Sequence, residues 1–175
     1  ALAQARGLRI LPPAALQSGA LDAFDAVILS DVFEHLERPV ETLSRLCGRL
    51  RRGGRLLVAT GNADAPACRR NPAWFWYWRN VQHVVMLRRA HADYLGRRLG
   101  LELRFWRELC HYRFSPWERI VQRARDFAYW KSRPGGGLWG RVIAATPRVR
   151  RATGWTEPPG LACTRDHVVA GFRKC

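Results

Sequence analysis

The sequence predicts an α/β fold built on an open sheet, and two segments carry that prediction. Phe24–Ser30 (FDAVILS) is a nearly unbroken apolar run with β-branched members, as expected of a parallel strand covered on both faces, and it is the candidate central strand. A helical pattern and a second strand, Arg55–Thr60 (RLLVAT), follow it, so that strand, helix and strand fit within about forty residues, the size of a βαβ unit with parallel strands. In open α/β sheets, ligands bind at the carboxyl ends of the strands, here Ser30–His35 and Thr60–Asp64.

The remaining elements follow in order. Ala1–Gly7 reads as the end of a helix, stopped at Gly7, and Leu8–Leu11 as a short strand closed by Pro12 and Pro13. Pro39 suits the first turn of a helix in which Val40, Leu43, Leu46, Cys47 and Leu50 recur at helical spacing. Arg51 and Arg52 fall at its C-terminal dipole, and Gly53-Gly54 is expected to end it. Beyond Asn62, an aromatic block (Trp74, Phe75, Trp76, Tyr77, Trp78) precedes a helix over Ala90–Leu99, ended by Gly100, and a half-buried strand over Leu101–Trp106. Ser115, Pro116 and Glu118 spell a capping box for an amphipathic helix over residues 116–131. Trp117, Ile120, Val121, Ala124, Phe127 and Ala128 lie on one side of it and Arg119, Gln122, Arg123 and Arg125 on the other. An apolar stretch, Leu138–Ala145, and a last strand, His167–Phe172, complete the chain.

Composition bounds the partners. The chain has 175 residues, a formal net charge of +16, and 28 arginines among its 30 basic side chains. Such charge favours anionic partners, although an arginine bias also arises from a GC-rich coding sequence. The five cysteines are widely spaced and form no CxxC pair, so neither a disulfide framework nor a common zinc signature is written here. No run approaches the roughly 18 apolar residues of a membrane span, and a reducing cytoplasmic setting is the simplest expectation. The basic helix 116–131, with Trp117 and Trp130, suits the inner face of an anionic membrane or a cover over the site.

The run Phe24–Asn62 (FDAVILSDVFEHLERPVETLSRLCGRLRRGGRLLVATGN) resembles the middle of the class I S-adenosylmethionine-dependent methyltransferases, in the branch that includes the quinone-biosynthesis O-methyltransferases. An aromatic-Asp pair opening a strand, an acidic-x-x-Glu-His stretch at its end, a helix closed by Gly-Gly and a further strand appear in the family's order. The resemblance continues more loosely through Trp74–His83, residues 90–106 and Arg165–Lys174. It implies a partial Rossmann-like methyltransferase fold, a mostly parallel sheet with an antiparallel last strand, lacking the first strands. Residues 1–112 would form the partial α/β core, 113–160 a basic helical insertion and 161–175 the terminal strand. The family's GxGxG loop and the acidic residue that grips the cofactor ribose have no counterpart, so the chain is expected to be truncated by some 50 to 80 residues and inactive alone.

The resemblance also implies site residues. S-adenosylmethionine is the expected cofactor, with Ser30, Asp31 and Glu34 at its pocket. His35, just past the strand end, is the candidate base for a hydroxyl nucleophile. Trp74, Trp76, Tyr77 and His83 are expected at the substrate, as a lid over the binding edge. Some quinone methyltransferases hold a divalent metal at positions matching Asp31, Glu34 and His35. An adjacent Glu-His pair would have to share one site, and the expectation here is no metal. The acceptor is a small molecule, a lipid-linked intermediate or a glycan. A nucleic-acid methyltransferase and a non-catalytic module that keeps the sheet are the competing readings.

Overall fold

The computed structural model describes residues 2–12, 23–70, 72–110, 114–131, 137–145 and 165–175. A short helix α1 (Leu2–Ala5) is followed by β1 (Phe24–Ser30), α2 (Pro39–Gly48), β2 (Leu50–Gly61), α3 (Pro66–Arg70), α4 (Arg89–Leu99) and β3 (Leu101–Leu109). Helices α5 (Pro116–Lys131) and α6 (Gly137–Ala145) precede β4 (His167–Lys174). Short 3-10 turns cover Phe33–His35, Pro72–Trp74 and Trp76–Arg79.

The four strands form one sheet in the order β1-β2-β4-β3. Strands β1 and β2 pair parallel, the βαβ unit expected from the sequence, while β4 is antiparallel to both of its neighbours. Three strands therefore run one way and β4 alone runs back, which makes the sheet mixed. Along β2, Leu56, Val58 and Thr60 are buried, and along β4, Val168, Ala170 and Phe172. These residues pack with Leu43 and Cys47 of α2 and Ala92 and Leu95 of α4, so the core lies on one face of the sheet. Burial pushes the Cys47 thiol up to about 11, against the lowering effect of Lys174, which makes it a packing residue and not a nucleophile.

The opposite face is open over Ile28 and Phe105, 66% and 41% exposed. A groove of about 470 Å³, whose lining includes Arg55, Leu57, Arg104, Phe105 and Arg173, runs along it. Gly171 belongs to the same face, and a Cβ there would run into the Phe105 ring on the neighbouring strand.

Three expectations are corrected. Leu8–Leu11 forms no strand: Leu8 and Ile10 are 60% and 53% exposed and join no sheet partner among the described residues. Strand β1 is an edge strand among the described residues, not the central one, and its Ile28 lies on the open face of the sheet. The helix after Pro39 stops at Gly48, not at Gly53-Gly54, because Leu50 already pairs with Phe24 as strand. Gly53 and Gly54 instead form a bulge between the pairs Phe24–Leu50 and Ala26–Arg55. Gly53 has φ of 78°, and a Cβ on Gly54 would meet the Arg51 carbonyl at 2.8 Å. On the apolar side of α5, Trp117, Ile120 and Phe127 are exposed.

Helix α4 stops, and helix α5 starts, as their sequences predict. Gly100 takes the left-handed conformation, φ 64°, at the end of α4. At α5, the Ser115 Oγ accepts from the Glu118 N–H at 3.2 Å and the Glu118 carboxylate accepts from the Ser115 N–H at 2.7 Å, the reciprocal capping box.

Candidate functional site

The carboxyl ends of β1 and β2 and the start of β4 meet at one edge of the sheet. Ser30 pairs with Ala59, and the chain then turns sharply at Asp31, which holds φ at 51° while its N–H donates to the Ala59 carbonyl at 3.0 Å. A left-handed backbone is uncommon outside glycine, and Asp and Asn tolerate it best. The turn throws the Asp31 carboxylate outward, 55% exposed, where it accepts from His167 Nε2 at 2.9 Å.

The 3-10 turn after Asp31 sends Glu34 and His35 in different directions. Glu34 is 1% exposed. One of its carboxyl oxygens accepts from the Thr60 hydroxyl at 2.8 Å and the other from the Tyr77 hydroxyl at 2.5 Å. Its backbone carbonyl takes the N–H groups of Val84 and Val85 at 2.8 and 3.3 Å. Burial, and then the bond to Glu34, push the Tyr77 hydroxyl well above the ordinary phenol value. Glu34 thus ties β2 and both ends of the aromatic segment to the end of β1.

His35 is exposed. Its Nδ1 lies 3.1 Å from the Gln82 carbonyl, an acceptor only, so the ring hydrogen belongs on Nδ1 and the neutral ring presents Nε2 as an acceptor. His83 is arranged otherwise. Its Nδ1 donates to the Tyr77 carbonyl at 2.7 Å and its Nε2 accepts from Asn80 Nδ2 at 3.0 Å, so both nitrogens are engaged. The rings of His35 and His83 are 4.9 Å apart, those of His83 and Tyr77 4.2 Å, and those of Tyr77 and His167 5.4 Å, a line of rings along the sheet edge.

The aromatic segment is more firmly seated than a free lid. Phe75 and Tyr77 are buried in a second small core with Ala65, Cys68 and Met86. Trp76 Nε1 donates to Asp166 at 2.9 Å. The ring of Tyr77 lies against Gly61, where any Cβ would overlap it. The side chain of Trp74, like that of Trp130, lies outside the described residues. Asn62 is a turn residue: it donates to the Arg165 carbonyl and accepts from the Asp64 N–H, each at 2.9 Å. Asp64 caps α4 through the Arg89 N–H and pairs with Arg88. Partial burial pushes its carboxyl up, but the bonds from Arg89 and Arg88 and the nearby Arg69 outweigh this and hold it below the ordinary value.

Of the residues expected at the site, Ser30, Asp31, Glu34, His35, Trp76, Tyr77 and His83 gather at this edge. Thr60 lies in the Thr60–Asp64 strand end expected at the binding edge, whereas Asp166 and His167 were not foreseen as site residues. The signal for His167 was its position as the first residue of the last strand: antiparallel pairing sets it beside Gly61. Donor atoms of Glu34, His35 and His83 lie within 4.8 Å of one another, but a cation there would have to displace a hydrogen bond of His83, both of whose nitrogens are engaged. This is a different trio from Asp31, Glu34 and His35, since Asp31 faces His167.

Comparison with known proteins places this edge in context. A family model described as a methyltransferase domain matches residues 5–104. No curated protein sequence shows significant similarity. The fold is similar to that of the [4+2]-cyclase SpnF (TM-score 0.50, 16% identity, 99% of this chain and 59% of that one). It is similar to a methyltransferase of Thermotoga maritima, a possible histamine N-methyltransferase (0.56, 14%, 99% and 68%). The YcgJ protein of Bacillus subtilis is a third (0.57, 12%, 99% and 75%). The chain thus spans between 59% and 75% of the length of these three. Since the family model spans more than half of the chain, across β1, α2, β2 and the site they position, the chain belongs to the class I S-adenosylmethionine-dependent methyltransferase-domain family.

Proposed function

We propose that the protein transfers a methyl group from S-adenosylmethionine to a hydroxyl or similar nucleophile of a small-molecule, lipid-linked or glycan acceptor, with His35 receiving the proton. The observation that carries this reading is the fixed imidazole of His35: exposed at the strand end, hydrogen-bonded through Nδ1 to Gln82, with Nε2 left as an acceptor. The Phe24–Asn62 pattern supports the finer assignment to the branch of the quinone-biosynthesis O-methyltransferases.

The cofactor supplies a methyl group on a sulfonium centre, and the protein's task is alignment, exclusion of water and acceptance of a proton. Ser30 and Asp31 fit a polar, cationic ligand, because both are exposed at the carboxyl edge and Asp31 offers a carboxylate. Glu34 fits it less directly: both carboxyl oxygens are engaged inside the protein, so its contribution is to hold the Asp31–His35 turn in place. Tyr77 and His83 likewise act by seating the aromatic segment, and Trp76 lines its outer side. His35 would take the acceptor hydroxyl's proton on Nε2 while the methyl group passed from the sulfonium sulfur, released as a neutral thioether, to that oxygen, and the Gln82 carbonyl would stabilise the resulting imidazolium through Nδ1–H.

The test is His35→Ala in the full-length natural protein. Turnover is expected to fall by about 10²- to 10⁴-fold, the usual contribution of a general base, with cofactor affinity unchanged. His83→Ala, at a ring with both nitrogens engaged, should instead lower thermal stability. Full turnover in the His35 variant across pH would refute the assignment.

A further inference from the structure

The α5–α6 unit carries an apolar surface that the fold does not use. On helix α5, Tyr129 is buried, 4% exposed, whereas Trp117, Ile120 and Phe127 are 70%, 57% and 54% exposed. Successive residues of a helix are 100° apart, so Trp117, Ile120, Ala124 and Phe127 fall on one stripe about 80° wide. Arg119 and Arg123 flank that stripe on one side, and Lys131, whose ammonium sits 5.8 Å from the centre of the Phe127 ring, falls within it. Helix α6 packs against the end of α5, so closely that a Cβ at Gly140 would overlap the Lys131 carbonyl, and it adds Leu138, 77% exposed, and Arg141. Across α5 and α6 there are five basic residues (Arg119, Arg123, Arg125, Lys131, Arg141) and two acidic ones (Glu118, Asp126). One of the two acidic residues, Glu118, is tied into the capping box.

We infer that α5–α6 is a docking surface for an anionic lipid bilayer, lying in the interface plane with Trp117, Ile120 and Phe127 in the acyl boundary. The charge pattern selects this occupant. An apolar stripe alone would suit any protein partner, but a stripe flanked by guanidinium groups, with a tryptophan at one end, matches apolar acyl chains beneath a layer of phosphates. No helix among the described residues is long and apolar enough to cross a membrane. Such a surface would bring the site to acceptors held in or near the lipid, and it does not depend on the identity of the reaction.

The test is co-sedimentation of the full-length protein with phosphatidylglycerol-rich and with pure phosphatidylcholine vesicles. Binding is expected to the first and to be at least about tenfold weaker to the second. Trp117→Ala/Ile120→Ala/Phe127→Ala, all at exposed positions, should keep the parent's thermal melt and lose binding by about tenfold or more. Arg119→Glu/Arg123→Glu should lose about fivefold or more per site, and only on the anionic vesicles. The inference is overturned if the parent fails to bind phosphatidylglycerol, if the apolar variant binds as the parent does, or if light scattering shows a dimer that the apolar variant dissolves.

Discussion

Glu34 and His35 are adjacent in sequence and opposite in circumstance, and the difference comes from residues far away. Thr60 and Tyr77 draw the Glu34 carboxyl into the core, while Gln82 fixes the His35 ring at the surface. The sequence pointed to both residues, through the family pattern at the end of the strand. It could not separate a strut from a base, because the partners that decide lie 26 to 47 positions downstream. The strut is testable. Tyr77→Phe leaves the Glu34 oxygen without its donor and should destabilise the protein by about 2 kcal/mol in urea or thermal unfolding. The Tyr77 hydroxyl has a folded pKa raised above its unfolded value of 10.0, so its contribution is complete below that pH and is lost as pH rises beyond it. Stability of the parent should therefore fall above about pH 10 more steeply than that of the phenylalanine variant. Equal slopes would mean that the hydroxyl is not held as described.

At the scale of elements, the βαβ unit was legible because all its signals are local: an apolar run, helical spacing and a second run. The end of α2 was not. Helical residues continue to Arg52, but Lys174, from the far end of the chain, donates to the Cys47 and Leu50 carbonyls at 2.8 and 2.7 Å and helps to terminate the helix there. Lys174→Met should cost about 1–2 kcal/mol of stability, measured by chemical denaturation, through those two carbonyls. The aromatic block was read as a lid, and its composition could not reveal that Phe75 and Tyr77 point inward. Gly61 shows how closely it is seated. Gly61→Ala should unseat Tyr77 and lower the melting temperature by several degrees or more, whereas the same change at exposed Gly7 would meet no neighbouring atom and only its left-handed backbone. A Gly61 variant that melts like the parent would contradict the packing of this segment on β2.

For the whole molecule, the sheet has one face packed by α2 and α4 and one face open at Ile28 and Phe105, with charge concentrated toward the distal third. Residue alternation in Leu101–Trp106 of β3 made one half-buried strand foreseeable, but which face of the sheet would be covered depends on helices the sequence does not order in space. At the edge shared by β1, β2 and β4, we propose that Asp31, at a left-handed turn beside His167, receives S-adenosylmethionine. Asp31→Asn keeps a residue that tolerates φ of 51° and removes only the charge, so its effect reports on the ligand and not on the turn. The most direct measurement is calorimetric titration of S-adenosylmethionine into the full-length natural protein and this variant. The account predicts saturable binding to the parent and an affinity lower by about tenfold or more in the variant, with unchanged thermal unfolding. No saturable binding to the parent, or equal affinity in the two proteins, would contradict it.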